Sequence, residues 1–452
     1  MDAIFRLAEH VVATQFDDLP EHAIAATKTF LLDSFGVAVV GSSVTWTPKL
    51  IAAQSEAAEG GARVWVRGTR LSAPAAALCN GYQLHNSEFD CVHEAAVVHP
   101  MAVLLPAAMA HAERSGGVSG RDFLAAITLG VDVGAGLGVG SKAPLKFFRP
   151  ATAGAFAATA AIGRMKGFDV ETLVNAFAIT HSQLCGTMQA HSEGSPLLPV
   201  QVGFNARNAM TACDMAATGM PGPHNVLEGP YGFYPLFEGA HDLAPVLERL
   251  GTTWRITEVA HKPFPTGRAT HGVIDGVLQL MREHNFSSDD VTAVVCRVPS
   301  LTHRLVGRPA HDAMAVSYAR LSAPYAIACA LLNDGVEIGD FSSESLVDPE
   351  RLAVAARVRV EIDDNPDANA MAPVEVTVEL ADGATHEIRV EEIYGNPARP
   401  MSNEAHLAKF RRNWVSGAVS LDPAAGEVLI AKVAELEALN DVAELVDLLI
   451  AA

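Results

Sequence analysis

The chain has few aromatic residues and comparatively little positive charge. Only 6% of its 452 residues are Phe, Trp or Tyr, and 32 Lys and Arg stand against 52 Asp and Glu, which gives a formal net charge of −20. An acidic surface repels phosphate backbones and anionic lipids, so this composition argues against nucleic acid and membranes as partners. It still permits a small anionic substrate, provided that a local group of cations forms the pocket.

Cysteine and long hydrophobic runs are also scarce. The six cysteines are scattered and form no C-x-x-C pair, which argues against a disulfide framework and a zinc knuckle. The first residues lack the basic start of a signal peptide, and uncharged runs such as 95–111 are interrupted by proline or histidine. From these absences we expect a soluble cytoplasmic protein with reduced thiols.

Four frequent catalytic motifs are missing as well. The sequence has no G-x-G-x-x-G after a predicted strand, no P-loop, no H-E-x-x-H and no G-x-S-x-G.

The hydrophobic pattern divides the chain into two kinds of structure. Helical periodicity dominates to about residue 250 and returns after residue 402, and the small residues of 151–165 predict a central helix that its neighbours approach closely. The middle of the chain contains a predicted buried helix at 322–333. It also contains β-branched or alternating runs, the last two joined by an Asp-Gly turn, which predict strands at 291–298, 357–362, 374–380 and 385–390.

These patterns predict a mainly α fold with an inserted α+β domain. We place a large helical domain in residues 1–257 and 395–452, so that it is built from both chain ends. A smaller α+β domain occupies residues 258–394.

Histidines and carboxylates crowd into the segment 80–106. It contains His85, Glu88, Asp90, His93 and His99, and then becomes apolar. Histidine changes charge nearest to working pH, so histidines beside carboxylates favour a proton-transfer centre. Cys91 lies among them, and we interpret it as a buried thiol rather than a nucleophile. His85, His93 and His99 could also converge on a metal ion, but their spacing is not typical of a metal site, and we expect acid–base work instead.

Two further groups supply cations. Lys262 lies in a stiff proline-containing turn at the predicted domain junction, with Arg268 and His271 close behind it. Clefts between domains often bind small ligands, so we predict that this group holds a carboxylate or acts as a base. Arg149 precedes Pro150 and the small-residue helix, and a guanidinium near a helix N-terminus makes a good carboxylate receptor.

Taken together, these segments resemble the MmgE/PrpD family, which includes 2-methylcitrate dehydratase, cis-aconitate decarboxylase and iminodisuccinate epimerase. The matching segments span nearly the whole chain in the family's order: FLLDSFGVAVVGS (30–42), NGYQLHNSEFDCVHEAAVVHP (80–100), RPATAGAFAATAAIGRMKGFD (149–169), EGPYGF (228–233), KPFPTGRATHGVID (262–275) and YGNPARPMSNEAHLAKF (394–410). The resemblance implies a helical domain with an α+β lid, a homodimer, no metal or other cofactor, and an active site in the interdomain cleft.

Carried over residue by residue, the family's D-[FY]-D-D-T-H run is similar to Glu88 to His93, with Glu88 for the first aspartate and Asp90 retained. The H-P histidine is His99, and the lysine of K-P-[FY]-P is Lys262. These matches imply catalytic roles for His99, Lys262 and His93. They also imply that Glu88 and Asp90 bind the substrate, and we predict the same role for Arg149, Arg268, His271 and Gln201 from their own positions in the sequence.

Several family groups are replaced. Arg149 stands where the family has the histidine of H-P-[PT], and Leu198 and Gln201 stand where many members have the lysine and histidine of K-x-x-H-x-G. Gly267 replaces a histidine of the decarboxylase-like members. The losses indicate a substrate other than the family's best-known ones.

Our leading hypothesis is a lyase, of dehydratase or decarboxylase type, that acts on a small di- or tricarboxylic acid. Cations such as Arg149 and Lys262 would hold carboxylates while His99 moves a proton at the neighbouring carbon. A first alternative is an epimerase or isomerase of a small dicarboxylate, with His99 and Lys262 as bases on opposite faces. A second is a non-catalytic protein that binds a carboxylic acid.

Overall fold

The computed structural model describes residues 2–54 and 61–451, which divide into two compact units. The first unit comprises residues up to Met188, Leu197–Val259 and the residues from Ser402 onward. The second comprises Gln189–Pro196 and Ala260–Met401.

Helices dominate the described residues. In chain order they are α1 Ala3–Ala13, α2 Glu21–Gly41, α3 Thr47–Gln54, α4 Ala73–His85, α5 Pro100–Ser115, α6 Gly120–Gly140, α7 Arg149–Met165, α8 Val170–His181, α9 Gln189–Glu193, α10 Leu197–Ala217, α11 Ala244–Leu247, α12 His271–His284, α13 Ser300–Val306, α14 Val316–Ala319, α15 Ala323–Asn333, α16 Pro349–Ala355, α17 Asn403–Trp414, α18 Pro423–Ala434 and α19 Glu444–Leu448. The strands are β1 Ala62–Arg63, β2 Arg70–Leu71, β3 Val291–Val298, β4 Val358–Ile362, β5 Val374–Leu380 and β6 Thr385–Val390. The prediction of a mainly α protein with a small α+β part is confirmed.

Helix α7 is the centre of the first unit. It packs against α5, α6, α8 and α10, and every residue from Arg149 to Gly163 is buried. Alanine, glycine and threonine dominate this stretch, so neighbouring backbones can come close without a cavity or a clash. The central position that the small residues predict is therefore observed.

Among the described residues, two helices are long and apolar enough to cross a membrane by length and composition alone, and both lie in the first unit. They are α2 and α6, and 72% and 94% of their most apolar stretches are buried inside the structure. Core helices of folded proteins pass the same test, because burial selects the same residues.

The second unit contains a four-stranded mixed sheet in the order β4-β3-β5-β6. Strand β3 runs parallel to β4 and antiparallel to β5, while β5 and β6 form the predicted hairpin, with Val374 opposite Val390. Helix α12 packs on β5 and β6, and α15 packs against α12, α16 and β4. Inward-facing valines and Ile327 fill the space between the sheet and these helices.

Candidate active site

The segment between α4 and α5 of the first unit carries the candidate site. Helix α4 ends at His85 and α5 begins at Pro100, with His99 as the preceding residue. Most of the intervening residues are buried. Glu88 and Val97 have φ angles of 51° and 52°, a region that non-glycine side chains adopt at an energetic cost, especially β-branched ones. Contacts from the surrounding helices hold the chain in this shape.

Asp90 joins two histidines. Its Oδ2 atom lies 2.9 Å from His85 Nδ1 and 3.1 Å from His99 Nδ1. The two imidazole rings meet edge to face at a centroid distance of 4.8 Å, and Glu88 Oε1 lies 3.9 Å from His85 Nε2. The side chains of His85 and Asp90 are 1% and 0% exposed, whereas that of His99 is 13% exposed. The structure therefore brings together Glu88, Asp90 and His99, three of the predicted residues, with His99 toward the surface.

This geometry fixes the chemistry available to His99. His99 Nδ1 lies 3.1 Å from Asp90 Oδ2 without the geometry of a hydrogen bond, so Asp90 acts on this ring through its charge. A negative carboxylate beside the ring stabilises the imidazolium that forms when Nε2 takes up a proton. His99 can thus give or accept a proton at Nε2, with Asp90 as the balancing charge.

A first clamp holds the turn that leads into His99. His93 and Val98 exchange both backbone hydrogen bonds, at 2.8 and 3.3 Å. The Arg149 Nη1 atom donates to the Ala96 carbonyl at 3.0 Å, and its Nε donates to Glu238 at 2.8 Å. Arg149 is 0% exposed and Glu238 is 2% exposed. The guanidinium predicted to bind a substrate carboxylate is thus engaged by a carboxylate of the protein, and we reinterpret Arg149 as a residue that positions the turn.

A second clamp runs from His93 into the core. His93 Nε2 lies 2.9 Å from Glu258 Oε2, which also accepts from Arg255 at 2.9 Å. The Arg255 backbone N–H donates to Asp132, which contacts His10 of α1 at 3.0 Å. Burial alone would raise the pKa of Glu258, but the hydrogen bond from His93 and the charge of Arg255 bring it below its ordinary value. With Nε2 on Glu258 and Nδ1 accepting from the Ala96 N–H at 3.2 Å, His93 fits a positioning role better than its predicted catalytic one.

A buried ion pair supports the Glu88–Asp90 turn. Lys409 Nζ lies 2.7 Å from Asp33 Oδ1, donates to the Phe89 carbonyl at 3.1 Å and sits 4.1 Å from the centre of the Phe89 ring. Cys91 beside this pair is fully buried, and burial raises the pKa of its thiol well above the ordinary value. A thiol that resists ionisation is a poor nucleophile, in agreement with the interpretation of Cys91 as a structural residue.

Gln201 of α10 supports the site from outside. Its side chain accepts from the Thr187 N–H at 2.7 Å and donates to the Thr187 carbonyl at 3.3 Å. The loop that it holds pairs with the strand-like residues before α7, where Phe148 N–H donates to Gly186. The Phe148 ring in turn lies 5.6 Å from the His85 ring. These contacts place Gln201 one layer behind the cluster, where its amide supports the protein backbone.

The cations predicted at Lys262 belong to the second unit. Lys262 is 0% exposed. Arg268 donates to the carbonyls of His261, Tyr394 and Ile393 at 2.8–3.1 Å, and His271 Nε2 lies 3.3 Å from the Thr266 carbonyl. Arg268 therefore fixes the turn that carries Lys262, and the three predicted residues of this unit lie together. The catalytic role of Lys262 stays a prediction.

Comparison with known proteins identifies the family of this chain. Residues 5–245 match the MmgE/PrpD N-terminal domain, and residues 264–435 match the MmgE/PrpD C-terminal domain. The chain belongs to the MmgE/PrpD family. The resemblance recognised in the sequence is thereby confirmed.

The relatives of this MmgE/PrpD protein include cis-aconitate decarboxylases from animals and fungi. The mouse and human enzymes are each 30% identical, over 95% of this chain and 90% and 91% of theirs. The enzyme of Aspergillus terreus strain NIH 2624 is 27% identical, over 96% of this chain and 93% of its own.

Sequence reasoning missed several residues of this MmgE/PrpD site. The sequence prediction places His85 in the histidine-rich segment without assigning it to the site, although its position five residues before Asp90, at the end of a helix, is a usable signal. Glu238, Glu258 and Lys409 have no local signal. Glu238 contacts Arg149 across 89 residues of sequence, and Glu258 and Lys409 contact the segment across 165 and 320 residues.

Proposed function

We propose that this MmgE/PrpD protein is a lyase that acts on a small di- or tricarboxylic acid, by proton transfer next to a carboxylate and without a cofactor. The observation that carries the proposal is the Asp90 carboxylate 3.1 Å from the Nδ1 atom of His99, because its negative charge stabilises the imidazolium that proton transfer requires. The similarity to cis-aconitate decarboxylases along nearly the whole chain supports a decarboxylase more than a dehydratase.

In the decarboxylation the His99 imidazolium acts as the acid. The bond between the substrate carbon and its leaving carboxylate breaks, and carbon dioxide departs. The electron pair stays on that carbon, where conjugation with a neighbouring carboxylate spreads the charge. His99 Nε2 then delivers its proton to this carbon, and the neutral imidazole regains a proton from water.

The charges around His99 set the cost of this step. Asp90 stabilises the imidazolium before the reaction, and the buried surroundings strengthen that interaction relative to water. The clamps at Arg149 and His93 keep the turn in place, so little free energy is spent on reorganisation. Lys262 keeps the role that the family resemblance implies for it, and we expect the homodimer implied by the same resemblance.

The test is a panel of di- and tricarboxylic acids, including cis-aconitate, incubated with the protein in deuterated water. We expect release of carbon dioxide and one deuteron in the product. His99→Ala should reduce turnover by about 100-fold or more if His99 transfers the proton. The control is His224→Ala, which removes an exposed imidazole from the same unit and should leave turnover unchanged.

Other outcomes would overturn the proposal. Turnover that survives in His99→Ala would remove His99 from the mechanism. Exchange of an α-proton with neither carbon dioxide nor a new alkene would point to an epimerase. Tight binding of an acid without any exchange or turnover would point to a binding protein.

A further inference from the structure

We propose that His85, Asp90 and His99 also form a binding site for one divalent transition-metal ion, such as Zn²⁺ or Co²⁺, and that this ion inhibits the enzyme. The binding stands on the geometry of the cluster, whereas the inhibition rests on the proposed function.

The donor atoms suit such an ion. Imidazole nitrogens and a carboxylate oxygen are the ligands that zinc and cobalt accept readily in proteins. One ligand atom from each of the three residues can be chosen so that all lie within 4.8 Å of one another. Two of the separations, from Asp90 Oδ2 to the two Nδ1 atoms, are 2.9 and 3.1 Å.

These separations already approach those of a metal site. With metal–ligand distances of about 2.0–2.1 Å, neighbouring ligand atoms lie about 2.8–3.4 Å apart in octahedral and tetrahedral sites. The two histidines would therefore move from Asp90 by only a few tenths of an ångström. Because Lys409 and Arg149 fix the segment on both sides of Asp90, most of the ordering needed for binding is present beforehand.

Exposure favours an exchangeable ion over a permanently trapped one. The side chains of His85 and Asp90 are enclosed, but that of His99 is 13% exposed and gives the ion a route to the cluster. Three protein ligands leave at least one coordination position for water, which is the arrangement of open zinc sites.

Metal binding and proton transfer would exclude each other. An ion on His99 Nδ1 needs the lone pair of that nitrogen, so the ring proton moves to Nε2. Nε2 then has no lone pair with which to accept a proton, and Asp90 binds the ion instead of stabilising an imidazolium. The same three residues would thus have two states, one catalytic and one metal-bound and inactive.

Cobalt supplies a direct test, because its visible absorption reports coordination without any substrate. The full-length protein is treated with a chelator, dialysed and titrated with Co²⁺. We expect saturation near one ion per chain with a visible band of a nitrogen- and oxygen-ligated ion. Asp90→Asn and His85→Gln should each weaken this binding by about 10-fold or more, with circular dichroism to verify that both variants fold.

The matched control addresses adventitious binding by other histidines. His386 stacks on His284 near the surface, with ring centroids 3.7 Å apart, and two adjacent imidazoles of this kind can collect a stray ion. His386→Ala should leave the cobalt band and its affinity unchanged. No cobalt band, or a band of equal affinity in Asp90→Asn, would overturn the site.

The inhibition is tested separately. Once a substrate is known, Zn²⁺ should reduce turnover, and the chelator should restore it. Cobalt binding without turnover on any acid would contradict the proposed function and leave the metal site standing. Turnover that tolerates Zn²⁺ at concentrations that displace Co²⁺ would overturn the inhibition and leave the proposed function intact.

Discussion

Arg149 and Glu238 show how a single buried pair shapes the site. Both side chains are enclosed, and Glu238 also accepts a hydrogen bond from the Ser141 hydroxyl at 2.7 Å. Removing the guanidinium leaves a buried carboxylate without its main partner, so Arg149→Met should destabilise the protein by about 3–5 kcal/mol in urea unfolding. If Arg149 positions the turn and does not bind substrate, the variant should lower kcat more than it raises KM.

The double variant Arg149→Met with Glu238→Gln is the control for that loss. With no charge left in the pocket, it should recover much of the stability, because desolvating an unpaired charge is the main cost. Equal stability of the single and double variants would show that lost packing, and not the stranded carboxylate, sets the effect. A raised KM with unchanged kcat would return Arg149 to the substrate-binding role predicted from the sequence.

At the scale of elements, the close approach of the 93–98 turn to α6 depends on one glycine. A Cβ atom at Gly138 would lie 2.5 Å from the Ala96 carbonyl oxygen and 2.7 Å from the Ala96 Cβ. Since backbone atoms cannot yield as a flexible side chain can, Gly138→Ala should cost about 1–3 kcal/mol of unfolding free energy. Movement of the turn should also displace His99 and reduce turnover.

Gly136 of the same helix supplies the matched control. A Cβ there would lie 3.1 Å from a side-chain methyl of Val246 and 4.0 Å from Arg255 Nε, with no backbone atom as close. Alanine is also the better helix former, by about 0.8–1 kcal/mol, so Gly136→Ala should be close to neutral or slightly stabilising. Equal destabilisation by both variants would mean that an added Cβ is equally costly at Gly136 and at Gly138. The contact between Gly138 and Ala96 would then not explain the loss.

The elements themselves could be predicted where their signals are local. β3, β5 and β6 occupy the predicted residues, and β4 begins one residue late, at Val358, because alternation and turn residues fix strands within a few positions. Ser322, predicted as helical, is the N-cap of α15 and accepts from the Tyr325 N–H. The partners of Arg149 and His93 could not be predicted, since Glu238 and Glu258 meet them only after the helices pack.

At the scale of the whole molecule, buried histidines link stability to pH. His111 of α5 is 4% exposed, and burial, followed by the charges of Arg114 and Lys166, lowers its pKa to about 4. Burial also lowers the pKa of His181 and His406. The folded protein thus holds these rings neutral in a pH range where the unfolded chain protonates them, which makes mild acid destabilising.

For His111 the sign and size can be worked out. Below pH 6.5 the His111 side chain of the unfolded chain is mostly protonated, whereas in the folded protein it stays neutral down to about pH 4. The free energy of unfolding therefore falls as the pH falls through this range. Between pH 7 and pH 5 the loss should be about 2 kcal/mol. His111→Gln removes the titrating group, so its stability should fall by about 2 kcal/mol less than that of the wild type over the same interval, measured by urea unfolding at both pH values. Parallel losses in the two proteins would mean that His111 is protonated in the folded state, and its burial beside Arg114 and Lys166 would then need another explanation.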